Sequence, residues 1–244
     1  YDLSDHFEAS QNRPISWRHL LQQTSEWEGT LWTKPDQVDR NRQVGPRSQD
    51  SVKGGPRELK VPGTHWEYND VRVNLAALCL TLLFGRSLEE VLREHIMDPI
   101  GASRSWEWYG YRNSWVEVQG QRVPSVSGGA HWGGGLWIST LDHARMGLLV
   151  SRGGRWGESE VLPSELIHEL FVPCDINPNY GFLWWLNTDS AMFSNAPESS
   201  VFAYGAGANY VWVDSPRDLV AVVRWIDPDS MDGFIARVMS AVPP

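Results

Sequence analysis

Within Pro62-Gly63-Thr64-His65-Trp66-Glu67-Tyr68-Asn69-Asp70, the tyrosine is the residue whose type and setting suit proton transfer. A phenol near pKa 10 is almost wholly protonated at neutral pH, so Tyr68 works as a base only beside a cation that favours the phenolate. Pro62-Gly63 signals a turn and Trp66 is a bulky anchor. Asp70 can cap the helix that Val71-Arg72-Val73-Asn74-Leu75-Ala76-Ala77-Leu78 begins. Tyr68 therefore lies on a short loop held at both ends, the kind of place where catalytic groups gather.

Other chemistries find less support. Seven histidines are present, but no His-Glu-x-x-His and no Cys-x-x-Cys, so no metal site is expected. Gly128-Gly129-Ala130-His131-Trp132-Gly133-Gly134-Gly135 lacks the lysine of a phosphate loop and the spacing of a dinucleotide fingerprint. It reads as backbone that comes close to a ligand or another strand. Ser127 precedes His131 by four residues without a nucleophile elbow around it, and reads as an ordinary loop serine. The rival class is a carbohydrate- or ligand-binding module, because fourteen tryptophans could supply flat stacking faces. The plain alternative is that most of them fill core.

The elements that would position Tyr68 run from helices to strands. Ser16 caps a first helix ending near Thr24. Residues 34–62 read as a long polar surface loop, and a helix follows over 71–84, stopped by Gly85. Ser87-Leu88-Glu89-Glu90 is a capping box, with Leu88, Val91, Leu92, His95 and Ile96 along one apolar face. A strand is predicted from Ser105 to Tyr109, and a hairpin over 116–123 turns at Gly120. Ser139 or Thr140 caps a helix, and Ser164 opens another through Phe171. The last third reads as strands at 181–187, 201–204, 209–213 and 219–225, then an amphipathic helix with Met231, Phe234, Ile235, Val238 and Met239. Trp184 and Trp185 should point to opposite faces. The expected organisation is a mainly helical and loop lobe over 1–138 and a lobe of helices and antiparallel sheet over 139–244, sharing one core with the site in the groove between them.

Four segments in order resemble the serine hydrolases that include class C β-lactamases, penicillin-recognising peptidases, and related esterases and 6-aminohexanoate-dimer hydrolases. Residues 15–25 are similar to the family's I-S-I-R-H-L-L-x-H-T-S helix. Residues 62–74 are similar to its P-G-x-x-F-x-Y-S-N-x-x-Y-N segment. Residues 133–145 resemble its glycine-rich stretch and following S-T-x-D-x-A-R helix, and residues 204–214 the strand edge flanking the site. The resemblance implies an α+β fold, an antiparallel sheet flanked by helices plus a helical lobe, here incomplete at the N-terminus. It also implies acyl transfer to water through a serine ester.

By that resemblance Tyr68 is the general base and acid beside the serine, and the Ala206 N–H is one oxyanion donor. Tyr204, Gly205 and Gly207 flank the substrate, and Trp132 and Tyr204 wall the acyl pocket. Asp70 stands where the family has asparagine, and either binds substrate or caps the helix. Where the family has Lys or His two before a glycine, this chain has Ala203-Tyr204-Gly205, which favours an esterase or amidase over a true β-lactamase. No cofactor is implied. The family's nucleophile sits in Ser-x-x-Lys, but the three lysines Lys34, Lys53 and Lys60 follow Leu31, Asp50 and Arg57 at that spacing. Ser51-Val52-Lys53 has the wrong spacing for a shared helix face and is followed by Gly54-Gly55-Pro56. The nucleophile is therefore expected in an N-terminal segment of the same protein preceding Tyr1, so that these residues alone should be inactive.

The expected partners are that segment and a small ester, amide or lactam. A net charge of −9 argues against nucleic acid and anionic membranes, and no apolar run is long enough to span a bilayer. Cys79 and Cys174, each beside apolar residues, read as reduced thiols.

Overall fold

The computed structural model describes residues 2–44, 53–128 and 135–242. They group into two units: residues 2–44, 53–94, 106–128 and 135–137 form the first, residues 95–105 and 138–242 the second.

In the first unit a short helix α1 (Ser4–Phe7) leads to α2 (Trp17–Leu21). Ser16 Oγ accepts from the His19 N–H at 3.3 Å, and His19 Nδ1 accepts from the Ser16 N–H at 3.2 Å, a capping box closed by histidine. The helix stops at Leu21, short of the expected Thr24. Gln23 turns left-handed at φ 59°, and the Thr24 N–H reaches back to the His19 carbonyl at 2.8 Å. Strands β1 (Thr30–Leu31) and β2 (Lys34–Pro35) make a small hairpin, followed by a 3₁₀ turn over Asp36–Asp39. The stretch expected as one surface loop thus opens with ordered backbone and buries Asp36 and Asp39. Ser51 and Val52 lie outside the described residues.

Helix α3 (Asp70–Phe84) is apolar almost all round, the signature of a helix surrounded by core. Val71, Leu75 and Leu78 pack with Leu20, Trp27, Leu31, Val116 and Val118. Its cap is Asn69 rather than Asp70: Asn69 Oδ1 accepts from the N–H groups of Val71 and Arg72 at 3.0 and 3.3 Å. Asp70 is the first helical residue, where a carboxylate suits the positive end of the helix dipole. Gly85, at φ 68°, ends the helix. Ser87 caps α4 (Leu88–Leu92), after which Arg93–Met97 widen into a π turn. That change of pitch leaves His95 exposed, off the apolar face expected for it. Strands β3 (Glu107–Val118), β4 (Gln121–Val126) and β5 (Gly135–Trp137) form an antiparallel sheet in the order β4-β3-β5. The β3–β4 hairpin turns at Gln119 and the expected Gly120, both at positive φ.

In the second unit Ser139 caps α5 (Thr140–Ser151), its Oγ accepting from the Asp142 N–H at 3.1 Å. A hairpin of β6 (Arg155–Trp156) and β7 (Ser159–Glu160) and a helix α6 (Ser164–Leu170) follow. Strands β8 (Trp185–Leu186), β9 (Val201–Gly205), β10 (Asn209–Asp214) and β11 (Leu219–Val223) form an antiparallel sheet in the order β11-β10-β9-β8. Helix α5 lies against β10 and β11, and α7 (Met231–Ala241) buries Met231 and Ile235. Phe193, Phe202, Tyr210 and Trp212 fill this core with edge-on and stacked rings. Strand β8 is shorter than the 181–187 expected, because Leu183 at φ 59° departs from extended backbone. Trp185 meets the edge of Tyr180 while Trp184 meets Phe171, so the two indoles take different partners. Cys79 and Cys174 are buried free thiols. No described helix is long and apolar enough to cross a membrane.

Candidate active site

The Tyr68 loop is pinned by the segment that follows α2. The Gly63 N–H donates to the Thr24 carbonyl at 2.8 Å, the Glu67 N–H to the Gln23 carbonyl at 3.0 Å, and the Asn69 N–H to Gln23 Oε1 at 3.1 Å. Gly63 takes φ 86°, and a Cβ there would stand 2.8 Å from His19 Nε2, so the turn requires glycine on both counts. Asn69 caps α3 with its oxygen and donates from Nδ2 to the Asp36 carbonyl at 2.9 Å.

Beneath the loop runs an ion-pair network that the sequence reading missed. Arg57 bonds Glu26 and Glu67 together, at 2.5 Å from Nη2 to each and 3.0 Å from Nε to Glu67. Arg72, 1% exposed, reaches Glu26 at 2.9 Å, Asp36 at 3.3 Å and the Trp27 carbonyl at 3.1 Å. Burial alone would raise the Glu26 carboxyl, but the Arg57 hydrogen bonds, Arg72 and the Lys60 N–H bring it down to about 2. Buried charges persist where each carries its partners, as these do. The anchor of the loop is thus Glu67 as much as the expected Trp66, which is half-buried. The signal in the sequence was Arg72, a buried cation in a largely apolar helix.

Tyr68 is half-buried and faces a second charged group. The Arg42 guanidinium lies 5.2 Å from the Tyr68 ring centroid, 2.7 Å from Asp70 and 3.8 Å from Asp39. Lys53 Nζ is 3.0 Å from Asp39, whose other oxygen accepts from the Asp70 N–H at 2.9 Å. Burial, then Asp70 and Asp39, push the Tyr68 phenol well above its ordinary value, while Arg42 pulls the other way. In this setting the protonated phenol is strongly favoured at neutral pH. Further into the unit, Asn74 Nδ2 donates to Tyr111 Oη at 3.0 Å, and buried Ser127 Oγ reaches both at 3.2 and 3.3 Å. Ser127 is therefore a satisfied interior hydroxyl, while His131 lies outside the described residues.

Tyr204, Gly205, Ala206 and Gly207 come together in the second unit, at the end of β9 and the turn into β10. Tyr204 stacks on its cross-strand neighbour Tyr210 at 4.7 Å and 11°. Gly205, Ala206 and Gly207 are exposed. Asn209 Nδ2 holds the Ala206 carbonyl at 2.6 Å, and Arg224 Nε holds Asn209 Oδ1 at 3.1 Å. Trp132 lies outside the described residues.

A family model, beta-lactamase, matches residues 2–233. The chain belongs to the beta-lactamase family. Members of the beta-lactamase family are serine hydrolases, and the chain has the corresponding fold of antiparallel sheets and helices. Three solved structures, each 15% identical, share that fold. A candidate beta-lactamase from Bacteroides dorei gives a TM-score of 0.61 over 98% of this chain and 77% of its own. A candidate 6-aminohexanoate-dimer hydrolase from Bacillus anthracis gives 0.63 over 100% and 67%. A penicillin binding protein from Bacillus halodurans gives 0.59 over 98% and 77%. No curated protein matches the sequence.

Proposed function

We propose that this chain is part of a serine hydrolase that cleaves an ester or amide through an acyl-enzyme, with the nucleophilic serine and its lysine outside these 244 residues. The observation that carries the reading is Tyr68, whose loop is held by the N–H groups of Gly63, Glu67 and Asn69 and whose ring lies 5.2 Å from the Arg42 guanidinium. Tyr68 takes the serine proton as the carbonyl is attacked and returns it to the leaving oxygen or nitrogen; water then releases the acid. Because its phenol is held high, the lysine paired with the serine must share that proton. The Ala206 N–H donates to the oxygen that gains charge, and the serine's own N–H supplies the second donor. Asp70 serves here by holding Arg42 in place. Trp132, Tyr204, Gly205 and Gly207 are assigned to the substrate.

Ala203-Tyr204-Gly205 offers no cation for the carboxylate of a β-lactam, which supports an ester or amide substrate. The candidate dimer hydrolase among the structural neighbours acts, by its name, on an amide, and amide cleavage lies within this reading.

Treating the full-length protein with a fluorophosphonate and with a fluorescent penicillin tests it. The fluorophosphonate should label one serine upstream of Tyr1, and the 244-residue chain alone should stay unlabelled. Label on Ser51 or Ser127 would show that the nucleophile is misplaced. Glycan binding without labelling of the full-length protein would favour the tryptophan-rich binding module.

A further inference from the structure

The turn that carries Ala206 is roofed by a residue whose placement core packing does not explain. Trp225, just past β11, is 75% exposed. Its backbone is left-handed, at φ 55°, a region that bulky residues rarely occupy and that persists where surroundings enforce it. Exposure and strain at one indole both oppose folding, and neither is offset by burial of that ring. What the ring does meet is Gly207: a Cβ there would stand 2.0 Å from Trp225 Cζ3 and 2.4 Å from Cε3, and Gly207 takes φ 78°. The preceding residue braces the same turn. Arg224 Nε donates to Asn209 Oδ1 at 3.1 Å and Nη1 to the Ile138 carbonyl at 3.1 Å, while Asn209 holds the Ala206 carbonyl. Arg224 therefore fixes the turn and Trp225 covers it.

We propose that Trp225 is a specificity-determining residue of the hydrolysis proposed above, its indole forming an apolar wall on which the hydrocarbon part of the acyl group rests. The inference rests on that reading: a carbonyl oxygen bound by the Ala206 N–H places the acyl carbon within a few bonds of Gly207, and so of the ring lying on it. An acyl chain laid there covers apolar surface on both partners, a gain that grows with each methylene. An acetyl group is too short to collect it. The substrates favoured are therefore esters or amides of medium-chain or aromatic acids.

The experiment compares p-nitrophenyl hexanoate with p-nitrophenyl acetate, which share a leaving group, on the full-length protein. Trp225→Ala should lower the hexanoate-to-acetate ratio of kcat/KM by about tenfold, the scale of a few methylenes in an apolar contact, and Trp225→Phe should restore part of it. Gly207→Ala, which displaces the ring without removing it, should lower the ratio in the same direction. Any effect of that change on carbonyl binding is common to both esters and cancels. A ratio within about twofold of wild type in both Trp225→Ala and Gly207→Ala, with hydrolysis otherwise intact, would overturn the role of Trp225 alone. A wild-type protein that hydrolyses neither ester and takes no fluorophosphonate would overturn the hydrolase reading, and this inference with it.

Discussion

The Arg42 guanidinium lies 5.2 Å from the centroid of the Tyr68 ring while ion-paired to Asp70 at 2.7 Å. Asp70 and Asp39 raise the phenol and Arg42 lowers it, so the ease of forming the phenolate depends on how well the two acids are neutralised. Asp70→Asn, which installs the amide found in the resembling family, should make Tyr68 more acidic and move the rising limb of the kcat/KM profile to lower pH. Arg42→Met should move that limb to higher pH, since it removes the cation and leaves Asp70 without that partner. Rate profiles of the full-length variants on one ester decide the matter; shifts in the same direction for both would contradict this arrangement.

Tyr68→Phe keeps the ring and removes only the hydroxyl. On the proposed mechanism it should lower kcat of the full-length protein by roughly 10²- to 10⁴-fold, the scale of general acid-base catalysis. The loop is held by backbone bonds of Gly63, Glu67 and Asn69 that do not involve the phenol, so thermal stability should change little. Turnover near wild type would take Tyr68 out of the mechanism and leave a helix-capping loop.

Acid should destabilise the chain in two windows. Burial and Arg224 hold His143 down to about 4, so the unfolded chain takes up that proton first as pH falls from 6.5, and stability drops until pH nears 4. Glu26, held to about 2 against an ordinary 4.5, contributes stability that is complete above pH 4.5 and is lost as pH falls towards 2. Its full contribution is on the order of 3 kcal/mol. Urea midpoints followed by circular dichroism should therefore fall in both windows. His143→Asn should make the upper one shallower without abolishing it, because burial also lowers His6 and His19. An unchanged slope in His143→Asn would rule out its part.

The sequence alone determined what depends on neighbours along the chain. Ser16, Ser87 and Ser139 cap helices because a hydroxyl two or three residues before free N–H groups has a local partner, whatever the rest of the fold does. Gly85 ends α3 and Gln119-Gly120 turns a hairpin for equally local reasons of backbone conformation. The order of motifs around Tyr68 pointed to the beta-lactamase family, since that order is carried by the chain itself. Tertiary structure decided which charges meet. Arg57 and Glu26 are thirty-one residues apart, and Arg72 and Glu26 forty-six, so no periodicity could pair them. The same holds for Arg42 over Tyr68, and for Trp225 lying on Gly207, eighteen positions earlier across two strands. Asn69 outcompeted Asp70 for the cap because Gln23 and Asp36 fix its backbone and side chain from elsewhere in the chain. Local preference sets caps and turns. Which ion pairs and close approaches form follows from the folded path of the backbone, because an electrostatic contact depends on distance in space and not on separation in sequence.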